Sequence, residues 1–135
     1  MRFQADFAAY LNAASPSEIL PITTTSAGLN AIAQALPLEP GDNLCFCETE
    51  FPSNAYPWMS RAQDGIEVRQ VPAVNGGLDL TTLRPYVDER TRLVAVSAVQ
   101  FFSGHRADLA ALGAFCRERT SCWRWMRSRL LGTCA

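Results

Sequence analysis

The apolar positions of this chain switch repeatedly between helical and extended spacing. Phe3, Phe7, Tyr10 and Leu11 recur at helical spacing and predict an N-terminal helix with one apolar face. Ser15-Pro16-Ser17 breaks it. Glu18–Ile22 reads as a short strand, and Ser26 to about Leu36 as a helix with Leu29, Ile32, Ala33 and Leu36 turned inward. Pro37–Asp42 is a turn by its Pro and Gly content. Asn43–Glu48 is a strand apolar enough to be covered on both faces. Phe51-Pro52-Ser53-Asn54 starts a helix that runs through Trp58 towards Gln63, and Ile66–Val71 is a third strand. After a turn at Asn75–Gly77 come a short helix, Leu80–Val87, and a β-branched strand, Leu93–Val99. A helix over Arg106–Arg119 closes the pattern, with Leu109, Leu112, Phe115 and Cys116 on one side. This alternation predicts an α/β fold, a mostly parallel sheet with helices on both faces. Such sheets bind ligands at the carboxyl ends of their strands. Thr24–Ser26, Phe51 and Ser97 all fall at or near such ends.

Composition narrows the function classes. The 135 residues are about one domain, 48% hydrophobic, with no uninterrupted apolar run long enough to span a membrane. Asp6 interrupts the apolar part of the N-terminus, which reads as an amphipathic helix rather than a signal peptide. A net charge of −1 gives no basic footprint for nucleic acid. Five cysteines without a C-x-x-C pair point to reduced thiols and a cytoplasmic location. Cys45 and Cys47, two apart on a strand, face one side, where burial explains them better than a metal does. All twelve basic residues are arginine, so no chemistry that needs a lysine amine is available within these residues. Every carboxylate lies at or before Glu118, whereas the last sixteen residues carry three arginines and two of the three tryptophans.

Thr23, Thr24, Thr25 and Ser26 stand where extended chain hands over to a helix. The first N–H groups of a helix have no internal partner and its dipole favours an anion, so hydroxyls there can form a phosphate cup. An ordinary Ser/Thr cap accounts for the same residues. Phe51 by itself reads as a core residue at a strand end, and His105, after a Ser-Gly turn, as an exposed loop residue. A generic phosphate-binding domain has less support, because neither G-x-x-x-x-G-K nor G-x-G-x-x-G is present.

Five segments in register resemble the class V aminotransferase family, fold-type I pyridoxal-phosphate enzymes that include cysteine desulfurases and kynureninase-like proteins. They are ITTTSAGLN, the LEPGD turn before a strand, ETEFPSNAYPW, VPAVNGGLDL, and TRLVAVSAVQFFSG followed by RADL, together covering Ser15 to Arg119. The resemblance implies the large domain of that fold, incomplete at both ends, with pyridoxal 5'-phosphate as cofactor. It implies an amino-acid substrate for the parent enzyme, by transamination or related lyase chemistry, and a homodimeric parent. By position, Thr24, Thr25 and Ser26 would hold the cofactor phosphate, Phe51 would stack on the pyridine face, and Ser97 would lie near the ring. Asn54, Pro57 and Trp58 are assigned to helix start and packing. Desulfurases carry His at the position of Phe51 and Asn near Phe101, so Phe51-Pro52-Ser53-Asn54 looks more like the kynureninase-like branch.

The family needs a lysine to hold the cofactor as a Schiff base and an aspartate against the pyridine nitrogen. Neither the lysine nor the aspartate-bearing strand that follows the family's equivalent of Arg106–Arg119 is present; the chain runs TSCWRWMRSRLLGTCA instead. Residues 1–119 are therefore expected to be a partial family domain with no turnover alone, and 120–135 a tail foreign to the family. Trp and Met each have one codon, so a frame starting one base earlier must read Leu across Cys122–Trp123 and Asp across Trp125–Met126. That frame permits an apolar strand ending Val-Asp-Ala-x-Gln, similar to the missing aspartate motif, and a frameshift after Arg119 is the expectation. The alternative is a basic amphipathic tail helix with Trp123, Met126 and Leu130 on one face. With it goes a second class of function, a non-catalytic interaction remnant using the exposed sheet and this tail.

Overall fold

The computed structural model describes residues 2–118 and the backbone of 124–128. Its elements, in order, are α1 (Arg2–Leu11), α2 (Thr25–Ala35), β1 (Asn43–Cys47), α3 (Tyr56–Met59), β2 (Glu67–Val71), α4 (Leu80–Leu83), β3 (Thr91–Ser97), α5 (Leu109–Glu118) and β4 (Arg124–Ser128). The strands form one sheet in the order β2-β1-β3-β4, and every neighbouring pair is parallel. β1 registers Leu44 against Val68 on one side and Leu93 on the other.

Alternation along β1 and β3 assigns the two faces. Leu44, Phe46, Leu93 and Ala95 turn to one side, against Leu29 and Ala33 of α2, Leu36 just past its end and Trp58 of α3. Cys45, Cys47, Val94 and Val96 turn to the other, against Leu83 of α4 and Leu112, Phe115 and Cys116 of α5. All five residues of β1 are buried, as a strand covered on both faces requires.

The amino edge of the sheet is tied by charge. Asp88 accepts hydrogen bonds from Asn43 Nδ2 at 2.8 Å and Arg69 Nη1 at 2.7 Å, joining the start of β1, the β2 strand and the turn before β3. The buried Asp42 carboxylate faces Arg92 at 3.2 Å and Arg90 at 3.4 Å.

Two expected elements differ, and so does the alternative offered for the tail. Glu18–Ile22 is not a strand: Pro16–Glu18 is a single 3-10 turn and the following residues pair with no strand among those described. Pro21 has no N–H to donate, and Leu20 and Ile22 are exposed, so neither ladder nor burial favours a strand there. The helix expected from Phe51 to Gln63 is broken into a 3-10 turn at Pro52–Asn54, the α3 turn and a second 3-10 stretch at Ser60–Asp64. Pro52 and Pro57 each remove a helical donor, and Gly65 ends the run at φ +79°. In the tail, Arg124–Ser128 is a strand rather than part of an amphipathic helix, with its backbone alongside Leu93–Ser97. Trp123 and Leu130 of that expected helix, and the rest of the 119–123 and 129–135 segments, lie outside the described residues. Lesser shifts concern α4, which tightens to a 3-10 turn at Arg84–Tyr86 beside Pro85, and α5, which begins at Leu109 where Asp108 caps Ala111 N at 3.0 Å.

Candidate functional site

The connection from α2 to β1 fixes where the hydroxyl run goes. α2 ends at Ala35, and Leu36–Asp42 turns the chain directly into β1. Arg61, just before the turn into β2, donates to the carbonyl of Ala33, so the C-terminal half of α2 lies at the amino edge of the sheet. An eleven-residue helix and a five-residue strand are each about 16 Å long. α2 therefore runs antiparallel to β1, and its N-terminus reaches the carboxyl edge.

There Thr24 caps the helix. Its Oγ1 accepts from Ala27 N at 3.1 Å and its carbonyl from Gly28 N at 3.2 Å. The N–H groups of Thr25 and Ser26, in the first turn, have no intrahelical acceptor by helix geometry. The side chains of Thr24, Thr25 and Ser26 are all exposed. The cap and the cup thus fall to different groups: the Thr24 hydroxyl is used in capping, while those of Thr25 and Ser26 face solvent beside two free donors. Phe51 stands three residues beyond Glu48 on the same edge, half-buried at the head of the 3-10 turn. Its ring meets Phe101 edge-on, with centroids 4.9 Å apart and planes at 84°. Phe102 lies beyond, 6.4 Å from Phe101 and largely exposed.

Ser97 ends β3 at this edge, but its polar groups are taken. Its N–H donates to Glu50 Oε1 at 2.8 Å and its hydroxyl to Glu50 Oε2 at 2.7 Å. Gln100 Nε2 donates to Oε1 at 2.8 Å and Asn54 Nδ2 to Oε2 at 3.0 Å. Asn54 Oδ1 in turn accepts from Trp58 Nε1 at 3.2 Å. The structure thus brings Thr24–Ser26, Phe51 and Ser97 to one edge and turns Ser97 away from solvent into a buried carboxylate. Glu50 and Gln100 were not foreseen. The one available signal is an acid three residues past the apolar run Leu44–Cys47, where a carboxylate needs partners.

His105 is half-buried rather than exposed, and its ring lies where a side chain at Gly77 would collide. With Asp79, Thr81, Arg106 and Asp108 it lines a shallow cleft of about 210 Å³ away from the hydroxyl run. The Cys45 thiol donates to the Tyr86 carbonyl at 3.2 Å, and burial pushes it up to about 12. Burial likewise pushes Cys116 up to about 11, so neither thiol is a ready ligand or nucleophile. Among the described residues no three His, Cys, Asp or Glu side chains are grouped to hold a metal. Nor is any helix among them long and apolar enough to cross a membrane.

A wholly parallel sheet covered on both faces, with a helix N-terminus, hydroxyls and an aromatic ring gathered at the strands' carboxyl edge, is the large-domain architecture of fold-type I pyridoxal-phosphate enzymes. Within that class the chain belongs to the class-V aminotransferases: that family's model matches residues 2–123. An uncharacterized aminotransferase of Schizosaccharomyces pombe is 38% identical over 98 residues, which is 72% of this chain and 25% of the relative. A cysteine desulfurase of Pectobacterium carotovorum is 41% identical over 97 residues, 68% of this chain and 24% of the relative. The chain thus spans about a quarter of the length of these curated relatives. Among solved structures, the cysteine desulfurase CsdA of Escherichia coli superposes with a TM-score of 0.79 at 26% identity, over 90% of this chain and 32% of that one. The cystine C–S lyase C-DES, solved as a mutant with glycine covalently linked to its pyridoxal-phosphate cofactor, shares the fold with a TM-score of 0.81 at 23% identity, over 93% of this chain and 34% of that one.

The family uses pyridoxal phosphate, and these residues fit its phosphate and its ring but not its covalent attachment. Two uncommitted first-turn donors with exposed hydroxyls suit an anion, and Phe51 offers a flat apolar face. No lysine is present.

Proposed function

We propose that this chain is part of the large domain of a pyridoxal-phosphate enzyme that transforms an amino acid, by transamination or related lyase chemistry, and that it does not turn over by itself. The observation that carries the reading is the meeting of the α2 N-terminus and Phe51 on one sheet edge, within a family that uses this cofactor. The N–H groups and hydroxyls of Thr25 and Ser26 bind the phosphate, oriented by the Thr24 cap. Phe51 sets the plane of the ring and shields one face from water. When bound, the cofactor supplies an electron-accepting ring that stabilises negative charge on the amino-acid carbon. Holding the cofactor covalently and moving the proton fall to a lysine that these 135 residues do not contain. Cysteine desulfurases are among the relatives, but Phe51 stands where the desulfurase pattern has His, and Phe101 near where it has Asn, which favours another branch. The parent is proposed to be a cytoplasmic homodimer, and residues 120–135 a frame-shifted tail.

Non-covalent binding is the limit of what the chain does with the cofactor. Pyridoxal phosphate and an amino acid, incubated with the chain and followed by absorbance, should give no half-reaction above a protein-free control. An amino-acid-dependent spectral change above that control overturns the reading. The exposed Phe3, Tyr10, Leu20 and Ile22 favour a second reading, a non-catalytic interaction remnant. Self-association or membrane binding that needs no cofactor and disappears when Phe3, Tyr10, Leu20 and Ile22 are changed to serine supports it.

A further inference from the structure

We propose that Glu50 is the positioning residue of this site: its buried carboxylate locks the carboxyl ends of β1 and β3 together so that Phe51 presents its ring at one fixed angle. The inference rests on the reading of Phe51 as the platform for a cofactor ring.

Glu50 is 7% exposed and accepts four hydrogen bonds, all between 2.7 and 3.0 Å, from three side chains and one backbone N–H. Its partners Ser97 and Gln100 are far away in sequence, on the strand end and loop that follow β3. The next residue in the chain after Glu50 is Phe51, and the next after Gln100 is Phe101. Of the two rings that meet edge-on, one therefore adjoins Glu50 in the chain and the other adjoins Gln100, whose side chain Glu50 holds. Among the described residues the Gln100 side chain has no other hydrogen-bond partner: its Nε2 goes to Glu50, and its Oε1 is buried without one. Without Glu50, the Ser97 hydroxyl and Gln100 Nε2 lose their acceptor, and the loop that carries Phe101 is left with the backbone bonds of Gln100 to His105 and Gly104 but without its tie to β1.

A well-packed apolar cluster would join two strand ends at less cost than a buried carboxylate with four donors. Hydrogen bonds add direction, which dispersion does not. A directional joint has its use where an angle matters, and the angle set here is that between Phe51 and Phe101.

The test separates ring from phosphate. Pyridoxamine phosphate, which forms no Schiff base with protein amines, and inorganic phosphate are titrated against the full chain by ligand-observed NMR. The wild-type chain is expected to bind pyridoxamine phosphate about tenfold more tightly than phosphate, the margin that ring stacking supplies. Glu50→Ala should collapse that ratio towards one while phosphate affinity persists. Glu50→Gln, near-isosteric and still an acceptor, should keep an intermediate ratio and covers the case in which the alanine variant does not fold. An unchanged ratio in both variants overturns the proposal. So does a parallel loss of both ligands in Glu50→Gln, the mark of a merely structural role. If the wild-type chain shows no preference for pyridoxamine phosphate, the cofactor reading falls and this inference with it.

Discussion

Thr24, Thr25 and Ser26 are adjacent and alike in chemistry, yet the structure gives them separable duties. Thr24 supplies the helix cap, and losing such a cap costs about 1 kcal/mol. Thr25 and Ser26 are exposed and cap nothing through their hydroxyls. Thr24→Ala should therefore lower stability by about 1 kcal/mol in urea unfolding. Thr25→Ala and Ser26→Ala should leave it within about 0.5 kcal/mol and weaken pyridoxamine phosphate binding instead. The reverse assignment of effects would show that the run is only a cap. At this scale the sequence was legible where residue type limits the choice, as in the hydroxyl run and the aromatic Phe51. It was mute where partners come from far along the chain. The Glu50 bonds to Ser97 and Gln100 span 47 and 50 residues, and nothing local to any of the three announces them.

The elements were read best where burial on two faces wrote long apolar runs. β1 and β3 fall within a residue or two of their expected ends, and both cores separate by simple alternation. Proline explains the departures up to Tyr86, because each one breaks a periodicity that the apolar pattern alone would continue. Junctions between elements carry charge, and Asp88 makes the clearest case. Burial works against its charged form, but the hydrogen bonds from Asn43 and Arg69 outweigh it and hold the carboxyl down at about 2. A folded-state value below the unfolded one, near ~4, favours the folded chain above that pH, and the contribution disappears as pH falls towards 2. Wild-type chain should thus lose urea resistance between about pH 4 and pH 2 more steeply than Asp88→Asn. Equal slopes for the two would remove Asp88 from that account. The side chain is 46% exposed, so solvent screening keeps the difference modest.

For the molecule as a whole, the strand at Arg124–Ser128 extends the parallel sheet beyond β3. The shifted reading frame proposed for the tail would place an apolar, aspartate-bearing strand over the same residues. Sequencing the gene from the codon for Cys116 onward tests this. The expected outcome is a shifted frame that reads through Val-Asp-Ala-x-Gln into a lysine-bearing continuation. A shifted frame that soon closes would leave the tail as it stands and move attention to its tryptophans and arginines. Fold class and family were legible in the chain because alternation and five spaced segments survive over most of it, and both were found.

The parallel run of every strand has a further consequence. Side chains that cement the sheet point into its two faces, while those that would meet a small molecule stand on a helix start and loops at one rim. Chemistry and foldability are thus written in different letters of the same chain. Substitution at exposed rim positions such as Thr25 and Ser26 can silence such a protein, or re-equip it for another task, while leaving its buried faces intact.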